Sequence, residues 1–123
     1  MTTSKLVRGA FLALTALFVT TGGAFAHSGL QRSEPQADSK LKRPPAEVKL
    51  YFSEQLEPAY SSVQVESEKG EKADRKDSRV DRANPKLLRA TLPPLEPGTY
   101  TVIWRVLSVD SHVTQGRFKF QVE

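Results

Sequence analysis

The sequence predicts an all-β domain, a two-sheet antiparallel sandwich or small Greek-key barrel of about seven short strands. Three observations carry that prediction. Apolar and polar residues alternate at period two in several segments, Pro and Gly punctuate the chain at short intervals, and no stretch past residue 27 holds helical periodicity long enough for a packed helix layer. A length of 123 residues allows one ordinary domain.

The first 26 residues stand apart from that domain. Lys5 and Arg8 precede an apolar run from Ala10 to Val19; Thr20, Thr21, Gly22 and Gly23 then lead to Ala24-Phe25-Ala26, a small-x-small cleavage signal. This order is that of a secretory signal peptide spanning residues 1–26 and removed after Ala26. The run is too short for a hydrocarbon core that takes about 20 residues, and no cysteine follows it to carry a lipid anchor. The expected product is a single exported domain, residues 27–123, that is not itself membrane-embedded. Cleavage also sheds Lys5 and Arg8 and no acid, so the excess of 18 basic over 14 acidic side chains shrinks. A domain that reads nucleic acid through its phosphates wants a larger, clustered positive face, so no nucleic-acid partner is expected.

Past His27, Ser33-Glu34-Pro35 and Arg43-Pro44-Pro45 bracket a polar connection, because proline removes a ladder donor and biases its predecessor away from helix. Val48, Leu50 and Phe52 alternate with Lys49 and Tyr51 as a half-buried strand, and Val63 and Val65 repeat the pattern around Gln64. From Glu66 to Arg82 charges of both signs interleave with almost no apolar residue, the composition of a solvated loop or ribbon. Leu87 to Leu92 supplies another short run, and Pro93-Pro94 and Pro97-Gly98 turn the chain into the next strand. From Tyr100 to Leu107 apolar residues occupy both parities, with Val102, Trp104 and Val106 on one face and Ile103 and Leu107 on the other. That pattern reads as a central strand covered on both sides or one passing through the core. Phe118, Phe120 and Val122 against Arg117, Lys119 and Gln121 form the last strand. Phe52, Trp104, Phe118 and Phe120 are the expected aromatic core, and Tyr51, Tyr60 and Tyr100 are read as core as well.

The absence of cysteine excludes disulfide scaffolds, thiolate zinc sites, iron–sulfur clusters, blue-copper centres and cysteine nucleophiles. Any histidine chemistry must use His27 or His112, the only two in the chain. Processing after Ala26 makes His27 the first residue, whose free amine and ring nitrogen can close a chelate on one metal ion. In Ser108-Val109-Asp110-Ser111-His112, Asp110 and His112 stand two apart and project to one side if the segment is extended. Amine, imidazoles and a carboxylate form a nitrogen and oxygen set that suits tetragonal Cu(II). Zinc accepts similar ligands, so the spacing by itself does not name the metal. Each feature taken alone also has a plainer reading, a disordered terminal histidine and a turn with a surface histidine.

These blocks resemble the CopC family of periplasmic copper-resistance and copper-handling proteins. The resemblance runs through His27, Ser33-Glu34-Pro35, Val48-Lys49-Leu50-Tyr51-Phe52-Ser53-Glu54, Pro97-Gly98-Thr99-Tyr100-Thr101-Val102-Ile103-Trp104-Arg105-Val106, Ser108-Val109-Asp110-Ser111-His112 and Gly116-Arg117-Phe118-Lys119-Phe120. It implies a seven-stranded Ig-like (cupredoxin-like) Greek-key β-sandwich that binds Cu(II) through His27, Asp110 and His112, with Glu54 as an outer-shell or weak ligand. It also implies a periplasmic location, a monomer, and delivery of the copper to a periplasmic or membrane partner such as a CopD-like inner-membrane protein. Some members carry a Met-rich loop that resembles a second, Cu(I) site; here the only methionine is Met1, so that site is expected to be missing.

Two other functions compete. A small copper oxygenase would use a similar terminal-histidine brace, but a carboxylate ligand favours Cu(II) over Cu(I) and hinders redox cycling, so the chain is not expected to be an enzyme. An exported Ig-like binding module without metal is the alternative. Ser108 and Ser111 beside His112 suggest nucleophilic catalysis only weakly, since no third group or oxyanion hole can be named.

Overall fold

The computed structural model describes residues 29–123. Eight strands follow in order: β1 (Leu30–Glu34), β2 (Lys40–Leu41), β3 (Glu47–Phe52), β4 (Ser62–Ser67), β5 (Arg79–Val80), β6 (Leu87–Thr91), β7 (Gly98–Leu107) and β8 (Val113–Val122). They pair as two four-stranded sheets, β1-β3-β6-β5 and β2-β8-β7-β4. Apart from the short parallel pairing of β2 with β8, every pairing is antiparallel. This is the strand arrangement of an immunoglobulin-type sandwich. The expected seven strands become eight because the first is split. β1 stops at Glu34, where Pro35 has no N–H to extend the ladder, and after a turn the chain rejoins the other sheet as β2.

Inward residues of both sheets interdigitate as the core. Val48, Leu50 and Phe52 of β3, Leu88 and Ala90 of β6, Val63 and Val65 of β4, Val102, Trp104 and Val106 of β7, and Phe118, Phe120 and Val122 of β8 are all buried. The alternation in β3 is complete, with every second residue inside. Trp104 meets Phe52 edge to face with ring centroids 5.2 Å apart, linking the sheets at the centre. Gly116 lies directly across the ladder from Trp104 and presents no side chain beside the indole. At the start of β7 the Tyr100 hydroxyl donates to the Glu96 carbonyl at 2.6 Å and its ring stacks on Phe120, the tyrosine corner of this architecture.

Three expectations need correction. Ile103 and Leu107 are only half-buried and share their face with exposed Arg105, so β7 is covered on one side and open on the other. Two tyrosines are not core: Tyr60 is 70% exposed because it sits in a short 3-10 turn (Pro58–Tyr60) outside the sandwich, and Tyr51 is half-buried on the outward side of β3 under Arg32. The charged stretch from Glu66 to Arg82 is largely irregular loop between the end of β4 and the two-residue β5, as its composition suggests, but its polar groups fasten the sheets. Asp74 Oδ1 and Ser78 Oγ accept from the Val65 and Val63 amides at 2.9 and 2.8 Å along the outer edge of β4. Asp77 accepts from the Thr91 amide at 2.8 Å and from its hydroxyl. An edge strand whose amides are satisfied in this way offers no template for another chain.

Candidate metal centre

The hairpin of β7 and β8 closes through residues 108–112. The Ser108 amide donates to the His112 carbonyl at 2.9 Å and the Ser111 amide to the Ser108 carbonyl at 2.9 Å. Ser111 takes a left-handed conformation with φ of 71°. Buried Ser108 organises the turn: its hydroxyl donates to Asp110 Oδ1 and its oxygen accepts from the His112 amide at 3.2 Å. The Val109 amide donates to the Gln55 carbonyl at 2.9 Å, which ties the loop to the segment after β3.

Asp110 and His112 do come together, with Oδ2 3.1 Å from Nδ1. They do so through this left-handed turn and not through the extended segment that would place alternate side chains on one side. The Asp110 carboxyl is held below the ordinary carboxylate range. The Ser108 hydrogen bond is the main cause; desolvation opposes it, and the His112 hydrogen bond and charge reinforce it. Nδ1 is the ring nitrogen on the Asp110 side, so a metal held at Nδ1 would meet both side chains, whereas one held at Nε2 would leave Asp110 as a hydrogen-bond acceptor behind the ring. The His112 side chain is 79% exposed and open to an incoming ion.

The pair lines one wall of a cleft of about 440 Å³ whose other walls include Gly29, Phe52 and Glu54. Gly29, with φ of +88°, turns the chain into β1, and its carbonyl accepts from the Ser53 amide at 2.8 Å. Glu54 therefore shares the cleft with Asp110 and His112, yet among the described residues it makes no ion pair with a basic side chain. His27 lies outside the described residues. Among those described, no three or more His, Asp or Glu side chains converge to hold a metal, so Asp110 and His112 form a two-donor fragment. Sequence reasoning missed Ser108 as the organiser of the turn. Its signal was the Ser-x-Asp spacing, a short polar side chain placed to compete for local backbone groups.

The chain is an immunoglobulin-type sandwich that carries a carboxylate–imidazole pair at the tip of its last hairpin. The model of the CopC domain matches residues 30–123, and the chain belongs to the CopC family. It is 34% identical to Protein YobA of Escherichia coli strain K12 over 122 residues, 98% of each chain. The crystal structure of CopC from Methylosinus trichosporium OB3b superposes with a TM-score of 0.72 at 34% identity, covering 79% of this chain and 94% of that one. PcoC, a methionine-rich copper resistance protein from Escherichia coli, superposes with a TM-score of 0.61 at 33% identity, covering 80% of this chain and all of that one. Methionine richness is not shared, since Met1 is the only methionine here. Among the described residues no helix is long and apolar enough to cross a membrane.

Proposed function

We propose that this protein is a periplasmic Cu(II) carrier of copper resistance or homeostasis, and not an enzyme. After signal-peptide removal behind Ala26, the His27 amine and ring, the His112 imidazole and the Asp110 carboxylate bind one Cu(II), and Glu54 acts from the outer shell. One observation supports this above the others: Gly29, two residues after His27, lies on the rim of the cleft that holds Asp110, His112 and Glu54. Two residues of chain span at most about 7 Å, so a chain that begins at His27 can bring its amine and ring to the cleft that Gly29 lines. The donor chemistry agrees, because hard oxygen and imidazole nitrogen without sulfur favour Cu(II) over Cu(I). The family membership and the copper-resistance relative point to the same cargo.

Reduction then loosens the site and gives a route for handing the metal to a partner such as a CopD-like inner-membrane protein. Acid releases it too, since the amine and the imidazoles bind metal only after losing a proton. The test is a Cu(II) titration of processed protein followed by EPR. One copper per chain with nitrogen-rich coupling is expected, weakened by His112→Ala, by Asp110→Ala and by a single alanine added before His27. Equal binding by the extended and native termini would overturn the chelate, and tighter binding of Cu(I) than Cu(II) would overturn the ligand set.

A further inference from the structure

The two outer faces of the sandwich treat charge differently. On the β1-β3-β6-β5 sheet, Arg89 is held by both oxygens of Glu47 and by Asp81, Lys49 pairs with Glu47, and Arg32 lies 3.8 Å over the Tyr51 ring and beside Glu34. On the other sheet the exposed guanidinium groups of Arg105 and Arg117 have no carboxylate partner among the described residues. They flank a depression of about 490 Å³ lined also by Ser62, Gln64, Ile103 and Gln115. Arg105 lies across the ladder from Gln115, and Arg117 across from Ile103, so the two arginines are diagonal neighbours. The backbones at such positions are about 7–8 Å apart, within reach of long side chains, so the two like charges share one surface without a neutralising acid between them. Lys119 continues the basic row on β8, opposite Thr101. Glu66 is the sole acid on the outward positions of these strands; it lies beyond Gln64 on β4 and does not line the depression.

We infer that this depression is a docking site for an extended, acidic peptide segment of a protein partner. The arginines offer planar forks that match carboxylates. The Gln64 and Gln115 amides each present a donor and an acceptor, the complement of a peptide group, and half-buried Ile103 offers an apolar floor. An ionised phosphate group engages only the donors of this surface, whereas a peptide group engages donors and acceptors together. The location adds a consequence. Arg105 and Gln115 adjoin Val106 and Thr114, which line the metal cleft from the opposite face, so a segment seated here lies behind the hairpin that carries Asp110 and His112. Val109 and Val113, 51% and 53% exposed, extend the surface with apolar contacts at the hairpin tip. The site stands on the electrostatics of this face and not on copper binding, so the metal-free protein is the test material.

A fluorescein-labelled, end-capped oligoglutamate titrated into the protein and read by anisotropy should bind, with affinity falling as salt is added. Arg105→Gln with Arg117→Gln should weaken it by about five- to twentyfold, the combined value of two solvent-screened pairs. Arg75→Gln with Arg82→Gln removes the same charge elsewhere and should change it less than about twofold. Amide shifts on adding peptide to the unaltered protein should centre on Gln64, Ile103, Arg105, Gln115 and Arg117, a reading independent of how the variants fold. Equal weakening by both variant pairs, or shifts centred elsewhere, would reduce the effect to net charge and overturn the site. Capture by phosphatidylglycerol vesicles that depends on Arg105 and Arg117, with no oligoglutamate binding, would overturn the peptide as occupant.

Discussion

Phe52 belongs to the core and also lines the cleft that holds Asp110 and His112, so its truncation tests whether the two are physically continuous. The ring is 3% exposed and meets Trp104 edge to face at 5.2 Å. Burial of a phenylalanine removes about 150 Å² from water, worth about 4 kcal/mol at about 25 cal/mol per Å². The aromatic contact adds about 1 kcal/mol, while residual burial in the unfolded chain and the methyl kept by alanine subtract from the total. Phe52→Ala should therefore cost about 3–4 kcal/mol, within the range for such truncations. A domain of this size has about 5–15 kcal/mol in all and loses about 4–8 °C of melting temperature per kcal/mol. Urea unfolding of the metal-free protein should show the midpoint lowered by about a fifth to four fifths, according to the parent's total stability, with little change in slope. Copper affinity of the folded fraction should change far less, because Ser108 and the Gln55 carbonyl hold the ligand loop without Phe52. A loss under about 1.5 kcal/mol would show that the Phe52–Trp104 contact does not anchor the two sheets.

Three further outcomes are expected. Ser108→Ala removes the main cause of the depressed Asp110 carboxyl, so its titration followed by NMR should move up toward the ordinary carboxylate range; an unchanged titration would mean that Ser108 does not organise the turn. Desolvation acts to raise Glu47, but Arg89 and Lys49 outweigh it and hold the carboxyl below its ordinary value of 4.5. Its contribution is thus complete above that value and lost as pH falls through the depressed one. Glu47→Gln should cost about 1 kcal/mol at neutral pH and progressively less as pH falls below 4.5, read from urea midpoints across the acid range; a pH-independent difference would contradict the linkage. Asp74→Ala leaves the Val65 and Lys76 amides without their acceptor and bares the edge of β4. It should cost about 1–2 kcal/mol and introduce concentration-dependent association in sedimentation, and a variant as stable and monomeric as the parent would refute the edge-capping role.

Burial and period were legible from the residues alone. The alternations at Val48 to Phe52 and Phe118 to Val122 specify which side chains face inward, because a strand has no other way to bury every second residue. Composition limited the chemistry to oxygen and nitrogen donors, and only His27 and His112 could supply imidazole. What the tertiary structure alone decided involves partners distant in sequence. Tyr60 looked apolar enough for a core but falls on a turn with no facing layer, and Ile103 lies on the open side of β7 because no element packs there. The charge-rich stretch became edge caps because the amides of Val63, Val65 and Thr91 needed acceptors, a need invisible until strand pairing left them at the margin. Asp110 met His112 through a left-handed Ser111 and a buried Ser108 hydroxyl, local geometry that a period of two cannot foresee. Glu54 and Gly29 joined the same cleft only when β1, β3 and the β7–β8 hairpin had been brought to one end, since periodicity encodes which way a side chain faces and long-range pairing decides what it meets.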